Sequence, residues 1–485
     1  MNRSNAQKVV IIGGGPAGLG TALMLAKRGW TNITVLEKRP SANYYEPDKS
    51  FNYLIDGRGQ KFTDLLGITS KLADLSVPNT EFYLTRIEKN GTRQTNKIPI
   101  ANPNSKTSYW LPRPSFMQLL YEEIQQYWQH SIQVLFQTKC INIKPHLDPS
   151  EVIIQSENGE ISTLMPTFII GCDGLNSIVR QTLYKMADQS HSFEMKKFPS
   201  PSSGLKYKVL TLPPQFPLSE EEGDYAQSDR AYAIRSAFKG RKKAISLGLL
   251  PLKDPNSVRP ANIITYPDHD LWQLQTKEEV EAFFQQAFPQ LPLDKILSSQ
   301  ELARFTASEG GQFPTPQYCS EFYKIWGKPD DNKGTAILLL GDAVHCFPPD
   351  IGQGVNSALE DISIFHDILA ETKDNINQAL PRYQTLREPD IKALIRLVQI
   401  GYPWQYNQAP LRKQLWKINF LVRFLLNRFL PFLFSPHSIL MIQNYELSYS
   451  EILAKSNRTT ISLWLLVGLI GLAIGGLFYS SRAIM

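Results

Sequence analysis

A glycine-rich turn near the start of the chain, in the stretch VVIIGGGPAGLG, constrains the fold more than any other feature. The apolar run from Val9 to Ile12 predicts a buried parallel strand, and the glycines that follow it complete a G-x-G-x-x-G. Glycine permits a tight turn and the close approach of a pyrophosphate, and we expect the following helix to run to about Arg28, before Gly29. The expected nucleotide contacts in this turn are Gly13, Gly15, Pro16, Ala17 and Gly18.

A second predicted strand, Ile33 to Leu36, ends at Glu37, which is followed by Lys38. In a dinucleotide site, a carboxylate at this position binds ribose hydroxyls and repels a 2′-phosphate. The pattern therefore favours FAD or NAD over NADP at this site, with Glu37 and Lys38 beside the adenosine.

The positive charge of the chain is concentrated near its C-terminal end. The formal net charge is +6, and residues 391–445 contain seven Lys or Arg and no Asp or Glu, whereas the first 390 residues carry a slight acidic excess. This distribution argues against a nucleic-acid-binding catalytic body and favours a basic end that faces a membrane.

The apolar stretch ISLWLLVGLIGLAIGGLFY, residues 461–479, contains no charged residue. At about 1.5 Å per residue it spans about 28 Å, close to one hydrocarbon thickness. We therefore expect a single transmembrane helix within 457–482. Because no secretory signal opens the chain, this anchor leaves the catalytic domain on the cytosolic side. Gly471 and Gly475 have the spacing at which membrane helices approach closely, which is compatible with a homodimer.

The segment before this anchor is amphipathic. Apolar residues recur there at helical spacing, with Lys413, Lys417 and Arg428 roughly opposite. Two interpretations stay open: a helix that lies in the surface of an anionic leaflet, or a helix that packs on its own domain and shows its charges to water. The apolar positions are Leu411, Leu415, Ile418, Val422, Leu425, Leu426 and Phe429.

The cysteines are far apart in sequence and lack the spacing of a zinc site. We expect reduced, mostly buried thiols and no metal ion. The cysteines are Cys140, Cys172, Cys319 and Cys346.

Two further blocks extend the glycine motif. FIIGCDGLNSIVR, residues 168–180, is an apolar strand followed by an Asp-Gly pair, and AILLLGDAVHCFPPDIGQGVNSALEDI, residues 336–362, is another such strand followed by Gly-Asp and a Gly-Gln-Gly turn. Together, in this order and spacing, the three blocks resemble those of the group A FAD-dependent aromatic hydroxylases, the para-hydroxybenzoate hydroxylase family, and above all its kynurenine-hydroxylating branch.

The resemblance implies an α/β fold in which a Rossmann-like FAD-binding domain of the GR2 type carries a β-sheet substrate domain. The expected organisation adds a C-terminal helical region and the single transmembrane helix. The expected boundaries are 1–184 for the first FAD-binding part, with 73–111 contributing to the substrate side, 185–297 for the substrate sheet, 298–385 for the second FAD-binding part, 386–456 for the basic helical region and 457–482 for the anchor.

The resemblance also implies roles for individual residues. Arg113 matches the arginine near the flavin side chain and pyrophosphate, Asp173 and Gly174 match the second fingerprint, and Asp342 matches the aspartate on the ribityl chain. A helix beginning near Gly352 would direct its positive end at the flavin ring and stabilise the reduced anion. The expected ring contacts are Gly352, Gln353, Gly354, Val355 and Asn356, and the positions expected on the catalytic side are Pro349, Gly352 and Asn356.

The implied reaction uses NADPH or NADH as reductant and O2 as co-substrate, and transfers oxygen from a flavin C4a-hydroperoxide to a small aromatic or lipophilic molecule. Kynurenine hydroxylases hold the substrate carboxylate with an arginine and a tyrosine, but Phe82 and Ile100 occupy those positions here. Tyr402 is a candidate for a C-terminal tyrosine of that site, and Arg86 or Arg58 for the missing arginine.

Two other functions stay open at this stage. A membrane-associated flavin reductase or epoxidase of isoprenoid lipids would share the FAD motifs and the anchor. A protein of another class, an FAD-binding protein or an isomerase or cyclase without NAD(P)H turnover, would share the motifs alone. We expect His345 to be a packed or turn-satisfying histidine rather than a base. The structural alternatives to the functional roles are that Asp342 caps the following loop and that Arg180 only neutralises Asp173.

Overall fold

The computed structural model describes residues 7–49, 51–98, 106–145, 150–186, 191–329, 333–406 and 408–483. The strands are β1 (Val9–Ile12), β2 (Ile33–Leu36), β3 (Asn52–Ile55), β4 (Val77–Pro78), β5 (Phe82–Ile87), β6 (Arg93–Ile98), β7 (Tyr109–Pro112), β8 (Ile132–Leu135), β9 (Thr138–Lys144), β10 (Glu151–Ser156), β11 (Ile161–Leu164), β12 (Phe168–Gly171), β13 (Lys196–Lys197), β14 (Lys206–Leu212), β15 (Ala231–Arg235), β16 (Ser246–Leu249), β17 (Arg259–Thr265), β18 (Gly311–Gln312), β19 (Gln317–Tyr318), β20 (Tyr323–Lys328), β21 (Lys333–Leu339) and β22 (His345–Cys346). The α-helices are α1 (Pro16–Lys27), α2 (Gly57–Leu66), α3 (Thr69–Asp74), α4 (Arg113–Glu123), α5 (Ile178–Met186), α6 (Lys277–Ala287), α7 (Leu293–Ile296), α8 (Ser299–Ala307), α9 (Gly354–Glu371), α10 (Ile376–Gly401), α11 (Pro410–Phe429), α12 (Ser438–Met441) and α13 (Tyr449–Ala483).

The first sheet positions the three glycine-containing loops. Its order is β20-β21-β12-β1-β2-β8, with β1 parallel to both β12 and β2, and β12 parallel to β21. The strands β1 and β12 are buried along their whole length, as continuous apolar runs in a parallel sheet require. Because β1, β12 and β21 are adjacent and parallel, the loops that follow them meet at one edge. The predicted strands β1 and β2 and the predicted helix α1 are confirmed.

The second large sheet has seven strands in the order β18-β14-β17-β16-β15-β5-β6. Its strands alternate buried and partly exposed residues, as in Arg259–Thr265, so one face packs on a separate apolar core. The segment 73–111 is divided: β5 and β6 join this sheet, whereas β4 and β7 pair with β3.

Two of the expected boundaries fall inside packed parts of the structure. The sheet domain does not end at Leu297, because Leu302 and Phe305 of α8 pack into the core of the second sheet and β18 pairs with β14. The boundary between residues 385 and 386 falls inside α10, whose buried residues, including Leu394 and Val398, belong to the core of the first sheet.

The helix α13 begins at Tyr449, earlier than the expected start of the anchor at residue 457. Within the described part of the chain, α13 is the one helix that is long and apolar enough to cross a membrane, over Tyr449–Ile474. Of its most apolar stretch of 18 residues, 6% is buried. Its first turn is nevertheless part of the protein core, since Tyr449 and Ile452 are fully buried.

Candidate functional site

The turn between β1 and α1 has a separate use for each of its glycines. A Cβ on Gly18 would lie 1.8 Å from the carbonyl oxygen of Gly13, and a Cβ on Gly13, where φ is +104°, would lie 2.3 Å from that of Cys172. By contrast, a Cβ on Gly15 would meet no atom within 4 Å. Gly13 and Gly18 are therefore needed for close packing of the backbone, whereas Gly15 borders open space at the N-terminus of α1. Pro16 and Ala17 form the first turn of that helix.

The carboxylate of Glu37 is buried at the end of β2. One of its oxygens accepts the N–H of Gly14 at 2.9 Å and the other accepts the N–H of Arg39 at 2.8 Å. Glu37 therefore shapes the glycine turn in addition to any contact with a ribose, which stays a prediction. Lys38 is exposed.

The loop after β12 is held by a cap and a buried cation. One Asp173 oxygen accepts the N–H groups of Ile178 and Val179 at the start of α5, and the other, Oδ1, is buried and has no hydrogen-bond partner among the described residues. Gly174 has φ of +79°. The expected pairing of Arg180 with Asp173 is wrong: the guanidinium donates to the carbonyl oxygens of Leu175 and Ala343, both at 2.6 Å. Those bonds tie this loop to the one after β21.

Asp342 and Arg113 come together although 229 positions separate them in the sequence. The surrounding protein raises the pKa of Asp342 by desolvation, while the charges of His345 and Arg113 act in the opposite direction. The Asp342 side chain is itself exposed. We infer from this combination that Asp342 lies in a recess that is open to solvent. Tyr53 lies beside the same pair: burial raises the pKa of its phenol, and Arg113 counters that rise by its charge and by a hydrogen bond.

The loop that contains Gly-Gln-Gly leads into α9, which begins at Gly354 with Gln353 as its N-cap. Gly352 has φ of +64°, a left-handed conformation, and neither Gly352 nor Gly354 has an atom within 4 Å of a built Cβ. Pro349 is exposed and Val355 is half-buried. No carboxylate occupies the first turn of α9, so its positive end is free to face an anionic group.

Asn356 is fully buried and its amide already has partners. Its Nδ2 donates to the carbonyl oxygens of Leu54 and Gly352, at 2.9 Å and 3.1 Å, and its Oδ1 accepts the N–H of Asp56 at 3.1 Å. Through these hydrogen bonds Asn356 connects β3 to the loop before α9. Its expected catalytic role stays a prediction.

A buried ionic network behind this loop was not foreseen from the sequence. Glu360 accepts from Arg58 at 2.6 Å and from Arg387 at 2.7 Å, and Arg387 also donates to Asp361 at 2.7 Å. Burial acts to raise the pKa of Asp361, but the charges of His345 and Arg387 outweigh it and hold that pKa below its ordinary value. His345, with its Nε2 2.7 Å from Asp361, is the packed histidine that the sequence predicts.

The first residue of α13 belongs to the same network. The Tyr449 hydroxyl donates to Oε1 of Gln353 at 2.7 Å, and Nε2 of Gln353 donates to Asp56 at 2.8 Å. The guanidinium carbon of Arg58 lies 4.0 Å from the centre of the Tyr449 ring. The C-terminal helix is thereby connected directly to the loop at the N-terminus of α9.

The three candidate substrate residues are in different settings. Phe82, on β5, is half-buried with its ring 5.9 Å from that of Trp110, and Tyr402 lies just after α10 with its ring 4.9 Å from that of Trp416. Ile100 lies outside the described residues. Arg58 is not free to replace the missing arginine, because Glu360 and the Leu447 carbonyl oxygen hold it in the core, whereas Arg86 is exposed on β5.

The thiols are poor nucleophiles at neutral pH, since burial raises the pKa of Cys140 and of Cys319 to about 12 and those of Cys172 and Cys346 well above the usual value. In the part of the chain that the structure describes, no group of three or more His, Cys, Asp or Glu side chains is arranged to hold a metal ion.

The residues around the recess fit flavin adenine dinucleotide. Open space borders Gly15 and Gly352, so a pyrophosphate and a ring system can approach the backbone at both places. In the part of the chain that the structure describes, the buried Oδ1 of Asp173 has no hydrogen-bond partner, and the side chain of Asp342 is exposed.

Comparison with known proteins agrees with this geometry. Residues 6–204 and 330–398 match the family described as FAD binding domain. Violacein synthase of Chromobacterium violaceum is 26% identical over 411 residues, which cover 82% of this chain and 85% of that protein. The kynurenine 3-monooxygenase of Dictyostelium discoideum is 24% identical over 408 residues, covering 80% and 78%. The structure of aklavinone-11 hydroxylase with FAD and aklavinone has the same fold, with a TM-score of 0.60 at 15% identity, covering 85% of this chain and 71% of that one.

Proposed function

The chain belongs to the FAD binding domain family and is an FAD-dependent monooxygenase, and we propose that it uses NADPH or NADH and O2 to hydroxylate an aromatic or lipophilic substrate at the membrane surface. The observation that supports the proposal is that the loops after β1, β12 and β21 meet at one edge of the first sheet, and that the loop after β21 leads into α9, whose first turn contains no carboxylate. When bound, FAD accepts hydride and activates O2.

The chain's own residues bind and orient the flavin in this proposal. The N–H groups at the start of α1 hold the pyrophosphate, with Gly15 leaving room for it, and Glu37 lies beside the ribose. Arg113 neutralises phosphate charge, and Asp342 accepts a hydrogen bond from the ribityl chain. The positive end of α9 stabilises negative charge that develops on the ring during reduction.

The substrate is proposed to be less polar than kynurenine. Phe82 occupies the position at which kynurenine hydroxylases place an arginine, and the buried Arg58 is held by Glu360. A buried carboxylate without a charge-assisted partner is strongly disfavoured. Arg86, exposed on β5, is the remaining cation for an anionic substrate group.

Attachment to a membrane is proposed to occur through α13, with the catalytic domain on the cytosolic side. From Ile461 to Ile474 the described residues of this helix are exposed or half-buried and mostly apolar. Gly471 has no atom within 4 Å of a built Cβ, which leaves a close approach by a second helix sterically open.

The proposal is tested by incubating the detergent-solubilised, FAD-loaded protein with NADPH or NADH, isotopically labelled O2 and a panel that contains kynurenine and lipophilic phenols. Mass spectrometry should find one labelled oxygen atom in a lipophilic member of the panel, and none when Asp342→Ala has removed the flavin. NAD(P)H consumption that yields a reduced, unlabelled product would instead establish a reductase. Absence of both NAD(P)H consumption and product would favour a non-redox function.

A further inference from the structure

The helix α11 packs on the protein through a face that combines polar and aromatic side chains. The residues that face inward recur every three or four positions, and all of them except Phe420, which stacks on Trp416, form hydrogen bonds through their side chains. Trp416 donates to the carbonyl oxygen of Ile400 at 3.2 Å, and Asn427 donates to that of Phe434 at 2.8 Å. The inward-facing residues are Lys413, Trp416, Phe420, Arg423 and Asn427.

The opposite side of α11 is apolar and exposed. Its side chains are between 38% and 82% exposed, although each is a Leu, Ile, Val or Phe. At 100° per residue they lie within one stripe directly opposite the packed side. The stripe, named here the outer face, consists of Leu411, Leu415, Ile418, Val422, Leu425 and Phe429. The interpretation in which α11 packs on its own domain through its apolar side is therefore wrong, although Lys417 and Arg428 are exposed as it expects.

Cations flank the outer face. Lys417 and Arg428 lie along one side and Arg412 along the other, and none of the three has an ion-pair partner within the described ranges. Residues 391–445 contain no Asp or Glu that would neutralise them. An apolar stripe edged by cations is the pattern of a helix that lies in the headgroup region of an anionic leaflet.

The position of α11 agrees with this pattern. Arg423 of α11 donates to the carbonyl oxygen of Ser456 at 3.2 Å and to Oγ1 of Thr460 at 2.7 Å. Both acceptors are on α13, immediately before its apolar stretch begins at Ile461. The helix α11 is thus fixed at the level where α13 would enter a bilayer.

We propose that α11 is a second membrane contact, a helix that lies in the surface of the bilayer with its outer face among the lipids. The inference rests on the proposed anchoring by α13, which fixes the bilayer beside Ile461. The occupant of the outer face is an anionic lipid surface, not a second copy of the chain.

This arrangement places the substrate side of the site next to the lipid. The Trp416 ring of α11 lies 4.9 Å from that of Tyr402, and Lys413 donates to the carbonyl oxygen of Gln405. Gln405 in turn donates to Asp350, three positions before Gln353 in the loop at α9. A substrate dissolved in the leaflet would therefore meet the protein beside the proposed flavin site.

The test uses three exposed isoleucines in the full chain: Ile418 on the outer face (59% exposed), Ile461 at the start of the apolar stretch (61%) and Ile161 on β11 (61%). Each is replaced by Cys in a Cys140→Ser background, labelled with an environment-sensitive fluorophore, and reconstituted in vesicles of phosphatidylcholine and phosphatidylglycerol. Lipids that carry a nitroxide near the top of the acyl chain are then added as quenchers.

We expect strong quenching at positions 418 and 461 and none at 161. Quenching at 461 but not at 418 would overturn the inference and leave the anchor intact, whereas no quenching at either position would reject both. A label at 418 that is shielded from aqueous iodide but insensitive to the lipid quencher would show that another protein surface covers the outer face, and would also overturn the inference.

Discussion

The hydrogen bond from Tyr449 to Gln353 should control FAD affinity from the first turn of the C-terminal helix. Tyr449→Phe keeps the ring that packs on Arg58 at 4.0 Å and removes only the hydroxyl that donates to Gln353 at 2.7 Å. Because burial raises the pKa of Tyr449 well above its ordinary value, the phenol stays a donor throughout the accessible pH range.

The size of the expected loss of FAD affinity follows from Oε1 of Gln353, which loses its donor when the Tyr449 hydroxyl is removed. A buried oxygen without its partner costs about 1–3 kcal/mol. This cost weakens FAD binding to the extent that the loop of the flavin-free variant can relax and expose Gln353, which is buried in the ordered loop, to water. We therefore expect the FAD dissociation constant to rise by about 5- to 150-fold.

The assay is titration of the flavin-free protein with FAD, followed by quenching of flavin fluorescence. Tyr445→Phe is the matched control, since this residue is half-buried with its ring against Gly57 and its hydroxyl makes no hydrogen bond in the described part of the chain. Equal dissociation constants for the two variants would refute the reasoning.

Three further predictions concern the turn, the ionic network and a buried acid. Gly15→Ala should leave the unfolding temperature of the flavin-free protein unchanged, because the added Cβ meets nothing within 4 Å, yet weaken FAD binding at least tenfold (about 1.4 kcal/mol) in the same titration; unchanged affinity would contradict the pyrophosphate assignment. Arg387→Met should lower the free energy of unfolding, measured in urea, by about 3–5 kcal/mol, because Glu360 and Asp361 lose a buried cation. A loss below about 1 kcal/mol, the upper range for an exposed ion pair, would contradict this. Burial raises the pKa of Asp350 to about 6, so the folded protein binds this proton more tightly than the unfolded chain does. As the pH falls from 7 through 6 toward 4, the free energy of unfolding of the wild type should therefore rise by up to about 3 kcal/mol relative to that of Asp350→Asn. Parallel pH profiles of the two unfolding free energies would contradict this.

The local elements of the site were predictable from the sequence because short patterns specify them. The strand before Gly13, the helix that starts at Pro16 and the strand before Glu37 are where periodicity and glycine spacing indicate them. Similarly, the helix after Gln353 begins at Gly354, close to its expected start.

Long-range pairing was not predictable in this way. Arg58 and Glu360 are 302 positions apart, and Tyr449 and Gln353 are 96 apart, so no local pattern links either pair. Arg180, in the first turn of α5, is close in sequence to Asp173 and suggests an ion pair, but its guanidinium donates to the backbone carbonyl oxygens of Leu175 and Ala343 instead. A buried cationic side chain donates to those acceptor atoms that have no other hydrogen-bond donor in the folded protein.

For α11 the two faces of the helix were predictable from the sequence, but their orientation was not. Periodicity identifies which residues share a face, and tertiary contacts decide which face the protein covers. Here the inward contacts are the hydrogen bonds of Trp416, Arg423 and Asn427, so the apolar side is left outside.

The most direct test of the central claim is rapid anaerobic mixing of the FAD-loaded, detergent-solubilised protein with NADPH or NADH, with and without the candidate substrates, while flavin absorbance is recorded. The account predicts that the oxidised flavin band is lost, that a substrate accelerates the loss, and that admitting O2 restores the band together with an oxygenated product. Bound FAD that neither nicotinamide reduces, with any member of the panel present, would contradict it.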